Sequence, residues 1–168
     1  SENIAGILNQ ITAVFTRQQV NIESLNVSAS SIEGIHKYTI TAWSDEEQII
    51  KITKQIEKKI DVIKADYYLD DELFIHEIAL FKISTASVMD NPEVSRCIRR
   101  MGARILEVNP TYCTVLLAGV PEDIAQMHEL FVKVDCMLQY TRSGRIAVTR
   151  SKEELVSDYL EEANNNIV

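Results

Sequence analysis

The feature that most constrains this chain is an order of hydrophobic periods that is written twice. From "IHEIALFKIS" onward, strand-like alternation gives way to a helical run, "NPEVSRCIRRM", with Asn91 placed to cap it and Pro92 at its first position. Two further strands follow, "ARILEVN" and "YCTVLLAGV", around Asn109-Pro110. A second proline-started helix, "PEDIAQMHELFVKV", and a last strand, "DCMLQYTRSG", complete the set. The order is β-α-β-β-α-β.

The first half follows the same order without its opening strand. Ile7, Leu8, Ile11, Val14 and Phe15 recur at helical spacing, and Asn3 stands where a cap belongs. This reading puts Gly6 inside the helix at a cost of about 1 kcal/mol against alanine, so something must compensate for it. "NIESLNVSAS" alternates as a strand with Ile22, Ser24, Asn26 and Ser28 on one face. "SIEG" is a turn in which Gly34 supplies a positive φ, and "IHKYTITAW" is a half-buried strand. Ser44 and Glu47 have capping-box spacing before a helix with the stripe Ile49, Ile52, Ile56 and Ile60. "DVIKADYYL" reads as the closing strand.

The expected fold class is therefore α+β, as two ferredoxin-like (βαββαβ) antiparallel-sheet domains, the first lacking its first strand in this chain. The expected divisions are 1–70, 74–150 and an acidic helix or tail over 151–168. Each domain is about 75 residues, a size at which burial is marginal and association between chains is common. A sheet without one of its inner strands exposes backbone, so about ten residues upstream of Ser1 are expected in the native gene.

Composition narrows the function. With 46% hydrophobic and 25% charged residues the chain is a folded type, and no apolar run reaches the roughly 18 residues of a membrane span. A net charge of −8 argues against a general nucleic-acid binder. Cys97, Cys113 and Cys136 lie in apolar surroundings without Cys-x-x-Cys spacing, as reduced core thiols of a cytoplasmic protein do. His36, His76 and His128 share no metal-ligand spacing, and no phosphate loop, dinucleotide fingerprint or nucleophile elbow occurs. Arg96, Arg99, Arg100 and Arg104 form a local basic cluster, readable as a solvated helix face or as a docking patch for an acidic partner.

The first helix start is the remaining candidate site. Unpaired N–H groups and a partial positive charge suit a small carboxylate there. Asn3 adds an amide that both donates and accepts, and Gly6 leaves the first turn bare. A free amino acid fits such a place if carbonyl acceptors for its ammonium come from nearby, and the strand beginning at Asn21 is a natural source. A plain cap with a close helix contact at Gly6 is the alternative.

"ENIAGILNQITAVFTRQQVNIESL" closely resembles the start of the small, regulatory subunit of acetolactate synthase. "EIALFKI", "NPTYCTVLLAG" and "TRSG" match strings of that family further on. The resemblance implies that the first unit is an ACT domain and that the chain has no catalytic residues. It implies a catalytic large subunit as partner, activation of that subunit, and feedback inhibition by valine or a related branched-chain amino acid. It also implies a homodimer through ACT domains. Thiamine diphosphate, Mg and FAD are expected on the catalytic subunit and no cofactor on this chain. Asn3, Ala5, Gly6 and Ile7 correspond to the helix-start part of the effector site, and Asn21 and Ile22 to the part on the opposing subunit. Gln19 departs from the glycine of many members and must take a left-handed φ or end the helix differently. An unattached amino-acid sensor and a metal-responsive ferredoxin-like regulator are the competing readings.

Overall fold

In the computed structural model, which describes residues 1–151, two compact units form. The first is built on Ser1–Phe74 with residues 147–151, the second on Ile75–Ile146. The acidic segment expected over 151–168 lies outside the described residues, apart from Ser151.

In the first unit, helix α1 (Ile7–Arg17) leads to an antiparallel pair, β1 (Ile22–Ala29) and β2 (His36–Ala42), and then to helix α2 (Glu46–Glu57). The apolar stripes of both helices close on one face of the pair. Ile7, Ile11, Val14, Phe15, Ile52 and Ile56 are buried there with Val20 and Val62, against Ile22, Tyr38 and Ile40. Each such side chain contributes about 1.5–3 kcal/mol on burial. A register shift between Ile22 and Ser24 corrects the simple alternation. The bulge turns Ile22 to the core, while the Ser24 and Thr41 hydroxyls hydrogen-bond at 2.6 Å away from it.

Three other expectations are corrected. The α2 cap is Asp45, one residue later than Ser44, and its carboxylate accepts the Gln48 N–H at 2.8 Å. The Ser44 hydroxyl donates instead to Gln48 Oε1. Ile60 is 98% exposed, because α2 ends at Glu57 and Val62 fills the core position instead. Residues 61–69 join no β-ladder among the described residues. Ser1 and Glu2 explain this: Ser1 O accepts the His36 N–H at 2.8 Å, and the Glu2 N–H donates to Asp61 O at 3.0 Å. Among the described residues, the lane between β2 and residues 61–69 is entered only at its end, and no strand lies along the remainder.

The second unit has the full set. Strands β3 (Leu73–Ser84), β4 (Arg104–Val108), β5 (Tyr112–Gly119) and β6 (Met137–Arg142) lie in the order β4-β5-β3-β6, all antiparallel. Helices α4 (Pro92–Arg100) and α5 (Pro121–Lys133) cover one face, and a short α3 (Thr85–Asp90) precedes them. As expected, Asn91 Oδ1 accepts the Glu93 N–H and Pro92 opens α4. Ala79, Phe81 and Ile83 of β3 meet Ile124, Met127 and Phe131 of α5, with Phe81 and Phe131 edge to face at 5.4 Å. All three cysteines are free and buried in this core.

Three helix ends share one hydrogen-bond pattern. After α1, Gln19 sits at φ 56 while its N–H donates to Thr16 O and that of Val20 to Phe15 O. Gly102 (φ 65) after α4 and Asp135 (φ 52) after α5 repeat both bonds in register. Each is a Schellman cap, and only the second uses the glycine its left-handed position favours.

Candidate functional site

The start of α1 differs from the sequence expectation in a way that matters chemically. Gly6 is not inside the helix; it is the capping residue, at φ 92 and ψ −10. The Ile7 N–H reaches Ile4 O at 3.4 Å, closing a turn in which Gly6 holds the third position. Those angles are the ones a type II turn demands at that position, and glycine adopts them without strain. A Cβ built at Gly6 would meet no atom within 4 Å, so no close helix contact explains the glycine.

Asn3 does not cap the helix either. Its own N–H donates to Gly34 O at 2.8 Å, which pins the segment to the turn between β1 and β2. Its side chain is exposed and takes no hydrogen bond among the described residues. Ala5 is exposed beside it. Ile7 is 2% exposed with its side chain in the core, so only its backbone faces the site.

The result is an uncapped helix end. No side chain caps α1 and no acid stands in its first turn. The N–H groups of Leu8 and Asn9 meet no acceptor among the described residues. By contrast α2 has Asp45, Glu46 and Glu47, α4 has Asn91 and Glu93, and α5 has Glu122 and Asp123 in the first turn. A helix start carries about half a positive charge, and here nothing among the described residues answers it.

Asn21 and Ile22 are not brought to this place. They lie past the far end of α1, whose eleven residues span about 16 Å at the helical rise. Asn21 is exposed, its side chain without a hydrogen bond among the described residues. One chain therefore carries the two halves of the predicted site at opposite ends of one helix.

Sequence reading missed a polar centre in the second unit. Glu77 is 2% exposed, with Oε2 3.6 Å from Arg142 Nη1 and Oε1 3.7 Å from Arg145 Nε. Its Oε2 accepts no hydrogen bond among the described residues. Ser143 between the arginines is tied to β3 twice, through its N–H to Ile78 O and through its hydroxyl, which accepts the Ile78 N–H. The signal was available, since Glu77 shares the parity of Ala79, Phe81 and Ile83 and so falls on the core face. Burial pushes the Cys136 thiol up to about 11, and its neighbours are apolar. Among the described residues no three His, Cys, Asp or Glu side chains gather to hold a metal ion, and no helix is long and apolar enough to cross a membrane.

The chain is of the class built from two ferredoxin-like α+β units, the first opened by an uncapped helix start. The family "AHAS small subunit-like ACT domain" matches residues 1–64, and "Small subunit of acetolactate synthase" matches residues 76–151. The acetolactate synthase isozyme 3 small subunit of Escherichia coli is 30% identical over 149 residues, which cover 89% of this chain and 91% of that one. The acetolactate synthase small subunit of Bacillus subtilis is 28% identical over 92% of this chain and 90% of its own. The fold is that of the Thermotoga maritima acetolactate synthase small subunit, with a TM-score of 0.80, 22% identity, and coverage of 90% and 94%. The chain belongs to the acetolactate synthase small-subunit family.

Proposed function

We propose that this chain is the non-catalytic regulatory subunit of an acetolactate synthase, and that a branched-chain amino acid, valine first among them, controls it through the start of α1. The observation that carries the effector site is the uncapped helix end, with the Leu8 and Asn9 N–H groups open beside Gly6. The effector's carboxylate lies on those groups, and the Asn3 amide is in reach of its polar end. Asn21 and the backbone at Ile22 of a second copy supply the acceptors for the ammonium. A two-fold pair then holds two equivalent sites. The effector shifts the catalytic large subunit only by the difference between its affinities for two arrangements of the pair. The chemistry stays on the large subunit with its thiamine diphosphate, Mg and FAD, in the cytoplasm. The second unit makes the partner contact.

The test follows from the positive φ of Gly6. Any side chain strains that turn, but asparagine and aspartate strain it alike and differ only in charge. Valine is titrated calorimetrically into the parent, Gly6→Asn and Gly6→Asp, each alone and with the large subunit. Saturable heat is expected in the parent and in Gly6→Asn. In Gly6→Asp, carboxylate repulsion at about 4 Å weakens binding at least tenfold. Equal binding in all three removes the site from the α1 start.

A further inference from the structure

Four of the chain's eight arginines fall within residues 96–104. Arg96, Arg99 and Arg100 are exposed on α4 opposite its buried residues Val94, Cys97 and Ile98. The three-residue turn Met101–Ala103 then sets Arg104 at the start of β4. None of the four side chains makes an ion pair or a hydrogen bond among the described residues, in a chain of net charge −8. β4 is the edge of its sheet and every residue of it is exposed, with Ile105 at 44% and Leu106 at 49%.

The fold does not require this surface. Helix α1 holds the equivalent place in the first unit, and its exposed positions are Leu8, Asn9, Gln10, Ala13, Thr16 and a single arginine, Arg17. Two of the four, Arg99 and Arg100, do favour the α4 C-terminus by its dipole, but Arg96 and Arg104 stand outside that last turn. The cations are all arginine, the side chain whose planar fork binds carboxylates in pairs, whereas the exposed cations of α2 are lysines. A second copy is a poor occupant, since it brings the same four charges, and the bulge at Leu106 with Arg104 blunts strand-to-strand pairing. Nucleic acid would leave Ile105 and Leu106 uncovered.

We infer that the C-terminal half of α4 and the start of β4 form the docking surface for an acidic segment of the catalytic large subunit. Carboxylates of that segment pair with Arg96, Arg99, Arg100 and Arg104, and an apolar side chain covers Ile105 and Leu106. This rests on the regulatory-subunit reading. Rim charges act mainly on association rate and salt dependence, and covered apolar side chains on dissociation.

The experiment measures binding of the full chain to immobilised large subunit of the same organism at low and high salt. Arg99→Glu/Arg100→Glu is expected to slow association at least tenfold at low salt and to flatten the salt dependence. Leu106→Lys is expected to speed dissociation at least threefold although it adds positive charge. Arg96→Gln/Arg104→Gln provides an independent, uncharged version of the first variant. Circular dichroism confirms that each variant folds. Parent-like kinetics in all three variants overturn the surface. So does loss of RNA binding or of self-association in the same variants with large-subunit binding intact. A parent that fails to bind the large subunit overturns the regulatory-subunit reading itself, a result separate from the variants' behaviour.

Discussion

Gln19 and Gly102 perform the same task with opposite residues, and exchanging their chemistry tests the account of the helix ends. Both occupy the left-handed position of a Schellman cap, at φ 56 and φ 65. The Gln19 side chain is exposed and bonded to nothing among the described residues, and a Cβ at Gly102 would meet no atom within 4 Å. Each substitution therefore changes only the backbone cost. A side chain at positive φ costs about 1–2 kcal/mol, and glycine gives back about 0.4–1 kcal/mol through the entropy of its unfolded chain. Gln19→Gly should stabilise the first unit by about 0.5–1 kcal/mol, and Gly102→Ala should destabilise the second by about the same. With a urea slope of about 1.5 kcal/mol/M for so small a unit, the midpoints move by roughly 0.3–0.7 M in opposite directions. Far-UV circular dichroism is the readout, because Trp43 is 81% exposed and its emission changes little on unfolding. A fall in the midpoint of Gln19→Gly, or an unchanged midpoint in both, refutes the reasoning.

Two further outcomes are expected. Glu77→Gln leaves two guanidiniums facing a buried neutral amide; since the Arg142 side chain is 43% exposed, the cost should be about 2–3 kcal/mol, below the range for fully buried pairs. Urea titration checks it, and a loss under 0.5 kcal/mol refutes the pairing. Cys136, raised by burial to about 11 from an ordinary 9, keeps its proton longer in the folded state than in the unfolded chain. The contribution of this thiol to stability is therefore constant below pH 9 and falls between pH 9 and 11 as the unfolded chain loses the proton first. Cys136→Ala should make that segment of the pH–stability curve less steep, the raised thiols of Cys97 and Cys113 keeping part of the slope.

The second unit was legible because its strands and helices carry complete periods and Asn91-Pro92 marks a helix start in one way only. The first unit was legible in the presence and order of its two helices and misread at several of its element boundaries, both ends of α2 included. Asn3 has the side chain of a cap, and only the backbone angles at Gly6 show that the chain turns before the helix begins. Residues 61–69 have the composition of a strand, yet a strand exists only where a neighbour accepts its hydrogen bonds. The bulge at Ile22 was hidden because alternation reports parity until one residue is inserted. Glu77 falls on the core face by its parity with Ala79, Phe81 and Ile83, but the arginines that face it, Arg142 and Arg145, come from a distant part of the chain that alternation within one strand does not reveal.

The length of α1 has a consequence for how defects combine. If two copies pair so that each lends its helix start to one site and its Asn21 to the other, a Gly6→Asp chain and an Asn21→Ala chain fail for different reasons. Homodimers of either have no working site. A mixed dimer joins both defects in one site and leaves the other whole, so random mixing in equal amounts restores about a quarter of the sites. Two inactive preparations would then respond to the effector when combined, a complementation that a site contained within one chain cannot show.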